Sequence, residues 1–334
     1  MMRRAALLAL GALALAAPAR ADESFALKLA VGSPLTSPVY IQGTKPWIDK
    51  VTEAAAGTLR IDVYPGGALA NPENIYDRLV NNVFELAYSI HGSIAGKFKK
   101  TSVAELPFLA TESEHASAAL WDLQEQGVIA DEYAQVHPLA LFIYPQVQLH
   151  FTRAVHGVEE LKGLKIGVPN RIAGDVVDAL GATPLNFSPP DQYQALSRHM
   201  VAGVAMPWTG VTQFKIVEVT NYHLEIGLGS STGFLMMNKP AYEKLPAKAR
   251  DAVDRLSYHV QSQHYGAALD AINREQRARI AAQTGQTVTS PDAAEKALWA
   301  KQVQPVYDKW VERTPDGRKV IEAFRAALAK EMAN

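Results

Sequence analysis

The chain has no cysteine in its 334 residues, which excludes disulfides and thiolate metal sites. It has no excess of either charge: 33 lysines and arginines stand against 34 aspartates and glutamates, so no basic field points to nucleic acid or an anionic membrane surface. Beyond the N-terminus, no apolar run reaches the ~20 residues a membrane span needs. The spacings of common catalytic and nucleotide-binding motifs are also missing: G-x-S-x-G, H-E-x-x-H, Walker A and G-x-G-x-x-G. "GLGSSTG" (227–233) lacks the Lys and following helix of a phosphate loop and reads as a Gly-rich turn. His259 and His264, five apart on one helical stretch, do not share a face and read as surface or packing residues. No enzyme activity, catalytic residue, cofactor or metal is expected.

What the sequence has begins at its start. "MMRRAALLALGALALAAPARADES" combines Arg3 and Arg4, an apolar run from Ala5 to Ala17, and Ala19-Arg20-Ala21, a small-x-small cleavage site. Residues 1–21 therefore read as a secretory signal peptide cleaved after Ala21, and the product as periplasmic. Without Arg3, Arg4 and Arg20 the basic count falls from 33 to 30 against 34 acidic residues, a formal charge of −4. An exported chain without disulfides depends on its core, and this length accommodates two lobes.

Hydrophobic periodicity predicts strands at 25–31, 59–65 and 84–90, with helices from Ile41 to Ala55 and across 71–82, the latter capped by Asn71 and Pro72. That β-α-β-α-β order gives a parallel sheet. Helices around 116–126 and 128–136 precede strands at 139–144 and 149–152. A second series follows: "LKIGV", a helix over 172–180, "TPLNF", a helix over 191–199, and "VAGVAM". "TGFLMMN" (232–238) reads as a strand returning to the first lobe. Residues 245 to about 283 read as one long helix, and helices near 292–313 and 319–332 end the chain. The fold class is α/β, with two lobes, a cleft between them and a long lobe-spanning helix. The division expected is 22–146 plus about 233–272 for lobe I, and 147–232 plus about 273–334 for lobe II. The segment 291–334 is expected to pack on its own lobe, leaving a monomer. No repeat at solenoid periods and no low-complexity linker interrupts the series.

Aromatic, amide and imidazole groups gather where strands hand over to loops facing the cleft, the preferred place for ligand contacts. They are Tyr88 and His91 in "AYSIHG", Tyr144, Gln146, Gln148 and His150 in "YPQVQLH", Asn170 and Arg171 after "LKIGVP", and Trp208 and Thr209 in "MPWTG". Any one of them could equally be a core tyrosine or a satisfied histidine; recurrence of the same loop position in successive β-α units gives the set its weight.

With these residues the chain resembles the extracytoplasmic solute-binding proteins of tripartite ATP-independent periplasmic (TRAP) transporters, the dicarboxylate-binding-protein-like family. The resemblance covers essentially the whole mature chain. It rests on "VYPGGALANPENIYDRLVNNVFELAYS", "ELPFL", "VEELKGLKIGVPN", "ALGATPLNFSPPDQYQAL" and "MNKPAYEKLPAKARDAV", in that order. It implies two α/β lobes that close on a small-molecule solute, and delivery to TRAP membrane permease subunits driven by an ion gradient. In most relatives the position of Gly167 is an Arg that grips a substrate carboxylate, a fork well matched to that group. Leu149 stands where many relatives have another Arg, and Met206 where many have Asn.

Three explanations of that loss stay open. Arg171, helped by His150 and helix-end amides, takes over the carboxylate; or the ligand lacks a carboxylate, with Tyr88, Tyr144 and Trp208 holding an apolar body and Gly167 making room; or the protein has left transport. The expected ligand is an aromatic or largely apolar monocarboxylate, with a ligand sensor, or a binding protein for an uncharged ligand, as the alternative. The ligand-binding set is Arg171, His150, Gln148, Tyr88, His91, Trp208, Tyr144 and Asn170. When the chain is expressed in a Gram-negative host, mass spectrometry of the periplasmic product is expected to show Asp22 as its first residue. An intact N-terminus would disprove the cleavage.

Overall fold

The computed structural model describes residues 24–94 and 96–333; the signal peptide expected at 1–21 lies outside them. β1 (Phe25–Val31) and β2 (Leu59–Pro65) run parallel, Phe25 opposite Leu59. Between them α1 (Lys45–Ala54) turns Trp47, Ile48 and Val51 inward at helical spacing. α2 (Ile75–Val80) then leads into β3 (Leu86–Ile90), which pairs with the other edge of β1. α3 (Ser113–Glu125) precedes β4 (Val136–Ile143), and β5 (Gln148–Phe151) follows across a short link. Next come β6 (Lys165–Val168), α4 (Arg171–Ala179), β7 (Thr183–Asn186), α5 (Gln192–Ser197), β8 (Gly203–Met206), α6 (Trp208–Gln213) and β9 (Tyr222–Leu224). β10 (Thr232–Asn238) is followed by α7 (Lys239–Glu243), α8 (Ala247–Leu256) and α9 (Tyr258–Ala281). β11 (Thr287–Thr289) and helices α10 (Ala293–Gln302), α11 (Gln304–Arg313) and α12 (Gly317–Ala333) complete the described chain.

These elements make two sheets and two lobes. The first sheet has the order β2-β1-β3-β10-β4, with β10 antiparallel between β3 and β4. The second has the order β11-β9-β5-β8-β6-β7, with β5 antiparallel to β8 and β9. The chain changes sheet three times, after β4, after β9 and through α9 between β10 and β11. The first two crossings bond to each other: Tyr144 N donates to Ser231 O at 2.8 Å, Val147 N to Gly229 O at 2.7 Å and Leu228 N to Val147 O at 3.0 Å. The buried carboxyl of Glu105 clasps the start of β10, accepting from Thr232 N at 3.0 Å and Thr232 Oγ1 at 2.8 Å. α9 packs on α3 and β4 of the first lobe and on α6 of the second, so it spans both.

Several elements differ from the periodicity reading. The stretch from 245 to 283 is two helices, broken at Ser257, whose backbone is extended (φ −115°, ψ −163°). Ser257 Oγ accepts the indole N–H of buried Trp47 at 3.1 Å, a tertiary demand with no Gly or Pro to announce it. Asn71 and Asn74 exchange backbone-to-side-chain hydrogen bonds at 2.9 and 3.0 Å, the reciprocal pattern of a capping box, and Ile75 N donates to Asn71 O at 3.0 Å, but the continuous helix α2 covers only Ile75–Val80 and not 71–82. Residues 128–136 hold one short turn before Val136 joins β4, opposite Asn238. The helix read at 292–313 divides at buried Val303, because Pro305 can supply no N–H to carry a helix through. The three-residue strands β9 and β11 were too short to show a period.

The C-terminal helices touch both sides. α11 ties to α4 through Arg313 Nη1–Asp175 Oδ2 at 2.6 Å, while its Tyr307 hydroxyl donates to Pro107 O at 2.6 Å and Trp310 Nε1 to Ser102 Oγ at 2.9 Å. α12 packs on α3, beside the first sheet, although the whole of 273–334 was expected with lobe II.

Gly203 sits in β8 opposite Phe151, and a Cβ there would fall 2.8 Å from His150 O and into the Phe151 ring. Gly203→Ala is expected to lower stability by about 1–3 kcal/mol in urea denaturation, as overpacking does. Gly174→Ala, whose Cβ would meet Pro184 and Val168 at 3.7 Å inside α4, is expected to be neutral or to stabilise by up to ~1 kcal/mol.

Candidate functional site

A pocket of about 810 Å³, part of it open to solvent, lies between the two sheets. Gly32 and Ser33 reach it from the end of β1, Tyr88–Ile90 from β3 and Tyr144 from just past β4. The second lobe contributes Ala205–Pro207 at the end of β8 together with Thr209, Gln213 and Phe214. No lining residue is charged, and five are proline: Pro72, Pro169, Pro189, Pro190 and Pro207.

Polarity in this lining comes from hydroxyls and one side-chain amide, that of Gln213, whose Oε1 accepts from Ser37 Oγ at 3.2 Å. Tyr88 and Tyr144 hydroxyls lie 2.8 Å apart; one donates to the other, so the second retains a proton to offer. Burial raises both phenols, Tyr144 to about 12, so both stay neutral at physiological pH. Tyr88 is fixed from behind by stacking on Phe142 (centroids 5.7 Å) and Tyr265 (6.0 Å). Ser33 Oγ is buried and has no hydrogen-bond partner among the described residues, an open valence at the pocket wall.

Of the eight residues picked out by sequence, Tyr88 and Tyr144 line the pocket. His91 sits beside it in a nest of Phe98, Tyr133 and Phe234, with Nε2 3.0 Å from the Tyr133 hydroxyl. His150 and Trp208 stand behind the wall with His223, their three rings about 5.0 Å apart. The carbonyl of Met206, a lining residue, can only accept; His150 Nε2, 2.9 Å away, therefore carries the proton, and its Nδ1 accepts from His223 Nδ1 at 2.8 Å. Trp208 Nε1 donates to Glu225 Oε1 at 3.1 Å, and Arg277 of α9 grips that carboxylate at 2.9 and 3.0 Å. Gln148 Oε1 accepts from Gly227 N at 3.0 Å, between the crossing segments. Asn170 caps α4, accepting from Ala173 N at 2.8 Å, and donates to Ser230 O at 3.3 Å and Ser231 Oγ at 3.2 Å. Arg171, the first residue of α4, is exposed and is not part of the lining.

Gly167 is outside the lining too. A Cβ there would meet Val204 Cγ1 at 3.0 Å and Phe187 Cδ2 at 3.6 Å, so the direction a side chain would take is already filled by apolar groups. The sequence reading passed over Ser33 and the diproline Pro189-Pro190. The strand-end argument that selected Tyr88 applies equally to Ser33, two residues beyond the end of β1.

The model of the family described as bacterial extracellular solute-binding protein, family 7, matches residues 32–314. The outer membrane transporter protein TsaT of Comamonas testosteroni is 27% identical over 310 residues, 90% of each chain. A TRAP solute-binding protein from Rhodoferax ferrireducens, crystallised with copurified benzoate, superposes with TM-score 0.89 at 30% identity, over 93% of this chain and 99% of that one. Another, from Bordetella bronchiseptica with bound (R)- and (S)-mandelate, gives 0.84 at 25% identity, over 92% and 99%.

Titratable groups around the pocket set a two-sided pH dependence. Burial lowers His91 and His150 to about 3. Their unfolded forms take up protons near 6.5, so their contribution is complete above that pH and is lost as pH falls toward 3. Burial raises Glu105 to about 7, from 4.5, against the Thr232 hydrogen bonds that oppose it. The folded state then holds a proton that the unfolded state releases, and this contribution fades as pH rises from 4.5 through 7. Glu105→Gln is expected to remove that alkaline decline, about 1–3 kcal/mol between pH 5 and 8, in urea titrations. The acid-side loss from the histidines should persist in the variant.

Proposed function

This chain belongs to the bacterial extracellular solute-binding proteins of family 7, a transport family and not an enzyme family, and we propose that it captures an aromatic monocarboxylate by closure of its two lobes. The observation that carries this reading is the uncharged, proline-rich lining with neutral tyrosine hydroxyls and an unpartnered serine hydroxyl. A flat apolar ring finds apolar walls there, and burying it drives closure. A single carboxylate is met by hydroxyl donors from Ser33, Thr209 and the Tyr88–Tyr144 pair. A small dicarboxylate would bring two charges to a lining without a cation, at heavy desolvation cost. Benzoate and mandelate in the two relatives are ligands of this shape.

In this reading His91, His150, Gln148, Trp208 and Asn170 hold the wall in place, and Arg171 acts from outside the lining as an attractive charge. Lobe I comprises the first sheet and lobe II the second, with α9 across both. The mature protein, cleaved after Ala21, works in the periplasm as a monomer and hands its ligand to the membrane permease subunits of a TRAP transporter. The same lining would also admit an uncharged aromatic ligand, which is the second reading.

Isothermal titration with benzoate, benzamide and succinate separates these readings. Benzoate is expected to bind and succinate not to; benzamide binding as tightly as benzoate would favour the uncharged ligand. Ser33→Ala should weaken benzoate about 10-fold or more, the scale of a buried hydrogen bond to a charged group. Arg171→Ala should change it less than about threefold. Tight succinate binding that needs Arg171 would overturn the proposal.

A further inference from the structure

Outside the pocket lining, three helices bring together side chains that the proposed ligand site does not use. Asp122 lies on α3, His259 in the first turn of α9 and Glu331 in the last turn of α12. One donor atom from each lies within 4.8 Å of the other two. His259 Nε2 is 3.4 Å from Glu331 Oε2 and 3.7 Å from Asp122 Oδ1. The imidazole makes no hydrogen bond to either carboxylate among the described residues.

We propose that Asp122, His259 and Glu331 form a binding site for a divalent transition-metal ion, with zinc as its natural probe, pinning the C-terminal helix to α3 and α9. Donor spacing carries the argument first. Zinc holds nitrogen and carboxylate oxygen at about 2.0–2.2 Å in a tetrahedron, whose edges are then about 3.3–3.6 Å. The two edges from His259 are 3.4 and 3.7 Å, and the third, between the carboxylates, lies within 4.8 Å, so the donors close by a few tenths of an ångström or more around the ion.

Charge carries it second. Both carboxylates are almost wholly buried, with side-chain exposures of 5% and 6%, a position acids take only when compensated. The compensation in place is one ammonium: Lys330 Nζ is 2.8 Å from Asp122 Oδ2 and 3.5 Å from Glu331 Oε1. One lysine matches one of the two carboxylates and leaves the second to the imidazole of His259, whereas a divalent ion held by all three donors matches both carboxylates at once. Lys330 is 62% exposed and can swing out to water as the ion enters, and His259, 32% exposed, marks the way in. One imidazole with two carboxylates suits a transition ion over magnesium or calcium, which take oxygen ligands in larger number. Water would complete the shell.

The test uses the full mature chain, untagged and stripped with chelator. Zinc is expected to bind one per chain by isothermal titration and to raise Tm by roughly 3–6 °C at about 100 times Kd; magnesium should do neither. His259→Ala and Glu331→Gln should each abolish the zinc shift while retaining benzoate binding, which reports that they fold and keeps this result separate from the ligand assignment. Where a variant binds no benzoate, its circular dichroism melt serves the same purpose. Lys330→Met removes the competing ammonium and should bind zinc at least as tightly as the parent. No zinc shift up to 1 mM, a shift that survives in His259→Ala, or weaker binding in Lys330→Met would overturn the site.

Discussion

Two crossing segments hydrogen-bonded to each other are the constraint on which the molecule depends. Residues 144–147 and 228–231 carry the chain between the sheets, and their mutual bonds make the crossing one ordered strap. Such a strap can bend without coming apart, as a hinge requires. Glu105 clasps its exit by bonding Thr232, Gln148 bonds Gly227 within it, and Asn170 of the second lobe reaches Ser230 and Ser231. α9 and α11 run across the same junction, so the lobes are joined by backbone, long helix and C-terminal helix together.

Around the pocket the charges are kept one layer back. Arg277 is spent on Glu225, which holds the Trp208 indole, whose ring packs against two histidines kept neutral by burial. The result is a wall whose orientation is fixed electrostatically while its surface is neutral. The proposed ligand, a ring with one charge, would need that separation, because a cation in the wall would favour more highly charged ligands.

Periodicity made the first four strands of the chain, the return strand β10 and the β-α series of the second lobe legible, since each buries one face at a regular interval. The breaks were not legible. Ser257 ends a helix because Trp47, more than 200 positions earlier, needs an acceptor for its N–H, and nothing local encodes that. Asn71 makes the reciprocal capping bonds with Asn74 that its position suggested, yet the helix that follows is only six residues long, Ile75–Val80, and its early end at Asn81 was not legible. At the site, the strand-end argument reached Tyr88 and Tyr144 but treated His150 and Trp208 as equals; only side-chain direction separates the face of a wall from its back. His259 was legible as a helical residue and illegible as a neighbour of Asp122 and Glu331, which lie on helices that meet only in three dimensions.

Five prolines in the pocket wall have a consequence for the thermodynamics of capture. Each has its φ fixed near −65° before any ligand arrives, so those stretches have little conformational entropy left to lose. Ordering a free residue costs about 1–2 kcal/mol, and a wall already ordered is spared much of that. Capture by such a wall loses its favourable free energy mainly to the motion of two whole lobes and the immobilisation of one small ligand. In the proposed closure the protein would act as a pair of stiff plates on a bending strap, and its selectivity would be one of shape held in advance.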